Sequence, residues 1–197
     1  MDFLGMYREL RAKHGPQKWW PQRTKECFEI CAGAILAQNT AWRNVEKALD
    51  NLIAGDAISP ERIAAMHERK LRRIIRPSGF FRQKAGRLKA FARFVLSYGS
   101  FGDFSKRITR EELLGVKGIG RETADCILLY ACGKPFFVID AYTRRLLSAR
   151  GAIRGESITT TSACFSSLRC REACGFTGNI TASSCRKGRR CGKALIP

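Results

Sequence analysis

The sequence predicts an all-α protein, on three observations. Apolar residues recur at helical spacing along most of the chain, and strict alternation of apolar and polar residues is nearly absent. The breaks carry helix punctuation: Ser59-Pro60 opens a helix, Pro77-Ser78-Gly79 separates two, and Gly133-Lys134-Pro135 stops one. The connections between these segments are short, as in a bundle of small helices packed on one another.

Taken in order, MDFLGMYRELRAKHG has the pattern of a charged amphipathic helix rather than of a signal peptide. Residues 24–38 put Cys27, Ile30, Cys31, Ala34, Ile35 and Gln38 at helical spacing. Further helices are expected over 41–53, 60–66, 68–75, 82–98, 109–114, 121–132 and 141–149. Cys27, Cys31, Cys126 and Cys132 fall in these apolar patterns and read as reduced core residues. No apolar run approaches the length that spans a bilayer, so a soluble, internal, cytoplasmic protein with no membrane association is expected.

The 197 residues carry 36 Lys and Arg against 17 Asp and Glu, a formal charge of +19. Such a surface attracts polyanions, nucleic acid first, although a ribosomal or membrane-surface protein would share the excess.

From about Ile158 the pattern changes. Ser, Thr, Cys, Gly and Arg dominate residues 158–197 and no apolar period survives. A disordered basic extension has this composition. A metal site is a second reading, but Cys164, Cys170, Cys174, Cys185 and Cys191 are spaced C-x5-C-x3-C-x10-C-x5-C, with no CxxC pair and no nearby His. A third is translation in the wrong frame. Regrouping the codons so that each third base begins the next triplet permits helix-like patterns over Thr159–Ser167 and Ala173–Arg190.

Residues 113–124, LLGVKGIGRETA, fit a helix–hairpin–helix. Gly115, Gly118 and Gly120 suit a turn too tight for side chains, Val116 and Ile119 anchor it, and a second helix starts near Arg121. Outward backbone N–H groups, with Lys117 beside them, would hold a DNA phosphate without reading sequence. A plain corner between packed helices is the alternative. Twenty residues beyond Gly120, after an apolar helix and the run Phe136–Ile139, stands a carboxylate, Asp140, at the start of the next helix.

Hairpin and spaced Asp, with ILAQNTAW at 35–42 and GFFRQKAGRL at 79–88, resemble the helix–hairpin–helix DNA glycosylases of the endonuclease III superfamily. The resemblance covers about residues 16–155. WWP at 19–21 and QNTAW at 38–42 look most like the 3-methyladenine glycosylase III branch. It implies two helical subdomains with the active-site cleft between them, the second incomplete here. Residues 1–22 would supply its N-terminal helix and pocket segment and 136–157 the start of its C-terminal part. Residues 23–135 would form the helical barrel with the hairpin at 113–124, leaving 158–197 as an aberrant tail.

By resemblance, Asp140 is the catalytic aspartate, though an Asp there also suits a helix N-cap. Gln38 lies at the DNA face and helps to fill the gap left by an extruded base, where a capping amide would be its ordinary role. Trp19, Trp20, Pro21 and Trp42 wall the base pocket, where each Trp alone would read as core packing. Gly115 to Arg121 contact DNA. Glu122 occupies the position at which bifunctional members carry the lysine that forms a Schiff base. The resemblance thus implies a monofunctional hydrolase, a monomer acting on double-stranded DNA with a damaged base, in particular an alkylated purine. The family's cluster-forming cysteines are absent, so no iron–sulfur centre, other metal or cofactor is expected. The alternatives are a glycosylase/lyase for oxidised pyrimidines and a non-catalytic DNA-binding hairpin module.

Overall fold

The computed structural model describes residues 3–15, 20 and 22–151, and within them all regular structure is helical. The tail, Trp19 and Pro21 lie outside the described residues. Ten helices follow one another: α1 (Phe3–His14), α2 (Phe28–Leu36), α3 (Trp42–Ala54), α4 (Pro60–Ala65), α5 (Glu68–Ile74), α6 (Phe81–Leu96), α7 (Phe101–Arg107), α8 (Arg110–Gly115), α9 (Arg121–Cys126) and α10 (Ala141–Ala149). A 3₁₀ turn, Arg76–Ser78, precedes α6, and α9 runs on as a π turn, Ile127–Ala131. The chain separates into two compact units, one formed by residues 22–133 and the other containing α1 and α10.

In the 22–133 unit, α2 is buried on every face, as its composition FEICAGAIL requires. Against it packs α6, whose Lys84, Ala85, Leu88, Phe91, Ala92 and Val95 form one buried stripe at helical spacing. Phe91 stacks on Phe28 with centroids 6.0 Å apart and meets Phe104 of α7 edge-on at 5.9 Å. Helix starts are capped by side chains: Ser59 accepts from Arg62 N–H, Ser100 from Asp103 N–H, and Thr109 with Glu112 completes a capping box.

The other unit has its own small core. Met6, Tyr7 and Leu10 of α1 pack with Phe137 and Ile139 of the extended segment before α10 and with Leu147 of α10. A two-bonded ion pair, Arg150 to Glu9 at 2.6 and 2.7 Å, joins the two helices at the surface.

Three sequence expectations need correction. The helix expected from residue 24 starts only at Phe28, because the buried Glu29 carboxylate accepts the N–H groups of Arg23 and Thr24 and folds that segment back as a loop. Cys27 is therefore exposed, not a core residue; Cys31 is buried, and Cys126 and Cys132 are half-buried. Helix α7 was not expected, since FGDFSKR is too short to display a period and its start is marked by Ser100 alone.

Candidate functional site

The hairpin begins with α8, whose capping box fixes its first turn. Arg110 in that turn reaches Asp125 of α9 through two bonds, Nε to Oδ1 at 2.6 Å and Nη2 to Oδ2 at 3.2 Å. Asp125 is fully buried, and its carboxylate raises the Arg110 guanidinium pKa further above its ordinary value through this hydrogen bond. The pair clamps the two hairpin helices to each other.

Between them, Val116 N–H bonds the Leu113 carbonyl at 3.1 Å and Ile119 N–H bonds the Val116 carbonyl at 3.0 Å. Ile119 is buried and anchors the turn, while Val116 is only half-buried. Of the three glycines, Gly118 alone has a left-handed backbone, φ +89. A Cβ there would also lie 2.7 Å from the Arg87 side chain. Gly115 and Gly120 correct the expectation: neither has positive φ, and a Cβ on either would meet nothing within 4 Å. Among the described residues, none accepts a hydrogen bond from the backbone N–H of Lys117, Gly118 or Gly120. Lys117 and Arg121 are exposed, as is Glu122 in the first turn of α9.

Gln38, just beyond α2, is brought to this turn. Its Nε2 donates to the Gly118 carbonyl at 2.9 Å and to Thr123 Oγ1 at 3.0 Å, and its Oε1 accepts from Arg87 Nη1 at 2.5 Å. Both ends of the amide are thus engaged within the chain, so filling a gap in DNA would require leaving these partners.

Lys84, a turn before Arg87, is 1% exposed. Its Nζ donates to the Leu36 carbonyl at the end of α2 at 2.9 Å and to the Ser78 carbonyl at 2.6 Å. Burial, with Arg87 nearby, lowers its pKa to about 8. It secures the turn that leads to Phe80, a residue the sequence reading did not single out. Phe80 has a left-handed backbone, φ 44 and ψ 29, and its side chain is 58% exposed. An aromatic held outward on a strained backbone suits insertion between bases. Only the paired aromatics of Gly79-Phe80-Phe81 after a turn signal could have suggested it.

Trp42 opens α3 and is half-buried, as is Trp20. Asp140 belongs to the other unit, together with α1 and α10. It is the N-cap of α10, its Oδ1 accepting from Thr143 N–H at 2.7 Å. Among the described residues, no three His, Cys, Asp or Glu side chains are grouped so as to hold a metal ion, and no helix is long and apolar enough to cross a membrane.

An all-helical chain with a glycine hairpin of this kind has the build of the DNA repair glycosylases. The chain belongs to the HhH-GPD superfamily of base excision DNA repair proteins, whose family model matches residues 32–166. A protein of Methanocaldococcus jannaschii, described as a DNA repair glycosylase, is 44% identical over 158 residues, which cover 77% of this chain and 71% of that one. Endonuclease III of Thermotoga maritima is 29% identical over 183 residues, 91% of this chain and 82% of that one. The crystal structure of an H. pylori 3-methyladenine DNA glycosylase bound to 1,N6-ethenoadenine superimposes with a TM-score of 0.79 at 32% identity, covering 95% of this chain and 99% of that one.

Proposed function

We propose that this protein is a monofunctional DNA glycosylase that hydrolyses the N-glycosidic bond of an alkylated purine in duplex DNA, acting as a monomer with Asp140 as the catalytic carboxylate. The observation that carries this reading is two carboxylates at helix starts, Asp140 at α10 and Glu122 in the first turn of α9, the latter where the family resemblance would put the lyase lysine. A carboxylate cannot form a Schiff base with the sugar, so water is the nucleophile. The likeness to a 3-methyladenine glycosylase structure supports the choice of base.

In the reaction the C1′–N bond breaks and its electron pair leaves with the base. A purine alkylated on the ring carries positive charge, so it departs neutral and needs little help. Positive charge builds instead on the sugar, where the Asp140 carboxylate stabilises it. Water bonds to C1′ and loses its proton to Asp140, which releases it to solvent. The Thr143 N–H holds one carboxylate oxygen in place throughout. The hairpin binds the backbone through the N–H groups of Lys117, Gly118 and Gly120, and Phe80 enters the stack as the base leaves it. By the family resemblance, Trp19, Trp20, Pro21 and Trp42 would wall the base pocket, the tryptophans offering electron-rich faces to a cationic base.

The test is base release from methylated duplex DNA by the wild type and by Asp140→Asn. Loss of about a hundredfold or more in excision is expected in the variant, the scale of removing a group that stabilises transition-state charge. Binding to a duplex with an abasic-site analogue should be retained. Wild-type excision by Asp140→Asn removes the catalytic assignment. A borohydride-trapped covalent adduct would point to the lyase reading, and binding with no base release to a non-catalytic module.

A further inference from the structure

The hairpin turn is braced from α6 by a relay of two side chains. Arg87 is half-buried, and its Nη1 donates to Gln38 Oε1. A guanidinium has no acceptor, so this bond dictates which end of the amide faces α6 and leaves the Gln38 NH₂ for acceptors on the hairpin. Those acceptors are there, the Gly118 carbonyl at 2.9 Å and Thr123 Oγ1 at 3.0 Å. The aliphatic stem makes a second contact, with Cγ, Cδ and Nε of Arg87 occupying the space beside the Gly118 Cα where a side chain would otherwise project.

The consequence lies in one peptide plane. The Gly118 carbonyl and the Ile119 N–H belong to the same planar unit. Gln38 holds its oxygen, and the Val116 carbonyl holds its N–H at 3.0 Å. Pinned at both ends, that plane sets the directions of the N–H groups of Gly118 and Gly120 on either side of it, which have no acceptor among the described residues.

We propose that Arg87 is a positioning residue for DNA binding: acting through Gln38, it locks the Gly118–Ile119 peptide so that the flanking N–H groups meet a phosphate in a fixed orientation, and it makes no phosphate contact itself. This inference rests on the reading that the hairpin holds the DNA backbone. Its physical content is preorganisation, since a turn already ordered loses less conformational freedom on binding.

Salt dependence separates positioning from contact. Each Lys or Arg that neutralises a phosphate contributes about −0.9 to the slope of log K against log salt, whereas a neutral backbone N–H contributes nothing of that kind. The measurement is anisotropy of a labelled undamaged duplex over a salt series, with the full chain as wild type, Arg87→Met, Gln38→Met and the double variant. Methionine keeps the stem over Gly118 and removes the guanidinium. Arg87→Met is expected to bind about tenfold more weakly at every salt concentration, the scale of a charge-assisted hydrogen bond, with the wild-type slope. The double variant should be no weaker than the weaker single one, because both break one relay. Hydrogen exchange on the wild type adds a test that needs no variant: the Ile119 N–H should exchange more slowly than those of Gly118 and Gly120.

A slope shallower by about 0.9 in Arg87→Met, which is the mark of a lost phosphate contact, overturns the proposal. So do wild-type affinity in Arg87→Met, fully additive losses, or an unprotected Ile119 N–H. In each of these cases the proposed function stands. A wild-type chain that does not bind duplex DNA overturns both.

Discussion

Two turns of the 22–133 unit share a left-handed backbone and differ in what stands there. The hairpin turn places Gly118 at φ +89, and the turn before α6 places Phe80 at φ 44. At Gly118 the chain leaves no room for a side chain, because Arg87 fills that space. At Phe80 a glycine would adopt the backbone at no steric cost, yet a large aromatic is present and exposed. Where strain and absence of a side chain coincide, the backbone is the working part; where strain and an exposed ring coincide, the ring is. On the proposed function, the hairpin would grip DNA and the Phe80 turn would probe it.

The comparison breaks most readily at Gly118. Gly118→Ala has to place a methyl group where Arg87 lies and to hold an alanine at positive φ, a cost of about 1–2 kcal/mol from the backbone alone. The Arg87 side chain must move, and with it the Gln38 amide. Binding to every duplex, damaged or not, should weaken by more than tenfold, as that cost and the lost brace together imply. Anisotropy with damaged and undamaged duplexes checks this. A loss confined to damaged DNA would assign the hairpin a probing role and erase the distinction.

Phe80→Gly should behave in the opposite way. Relief of the left-handed strain is worth up to about 1 kcal/mol, so the variant should melt no lower than wild type. Binding to undamaged duplex should stay within about twofold, because phosphate contacts dominate it. Excision should fall by about tenfold, since a flipped base loses the wedge that fills its place. A variant that is both more stable and fully active would show that the exposed ring has no part in the reaction.

The contrast was only half legible in the sequence. The hairpin could be read because its signals are local: glycines at fixed spacing, Ile119 as an apolar anchor, and a helix starting at Arg121. The N-cap at Asp140 was legible for the same reason. The brace was not, because Gln38, Arg87 and Gly118 are far apart in sequence and only the packing of α6 brings them together. Gly115 and Gly120 looked like Gly118 in the sequence, and only backbone angles and contacts separate the one that the turn requires from the two at which a Cβ would meet nothing within 4 Å. Cys27 continued a helical period that the chain does not follow, since Glu29 recruits the preceding backbone instead. Phe80 was hidden by its neighbour: two adjacent aromatics give no sign of which one faces out.

The two turns also differ in how α6 tethers them, and here a smaller effect is expected. The hairpin is held by the half-buried Arg87 through Gln38, the Phe80 turn by the buried Lys84 on the Leu36 and Ser78 carbonyls. Loss of water around Lys84 outweighs these two bonds and, with Arg87 nearby, brings its pKa from 10.5 to about 8. Between pH 8 and 10.5 the unfolded chain therefore binds more protons at this site than the folded one, and the folded state gains stability as pH rises through that window. Lys84→Met leaves both carbonyls without this donor and should be less stable than wild type at pH 7. It also lacks the titrating group, so the gap between the two should widen by about 1 kcal/mol from pH 8 to pH 9. Denaturant unfolding of both proteins at the two pH values measures this, and the other titrating groups cancel in the difference. A gap that stays constant or narrows with pH would mean that Lys84 keeps an ordinary lysine pKa in the folded chain. The tether of the Phe80 turn would then hold unchanged across this pH window.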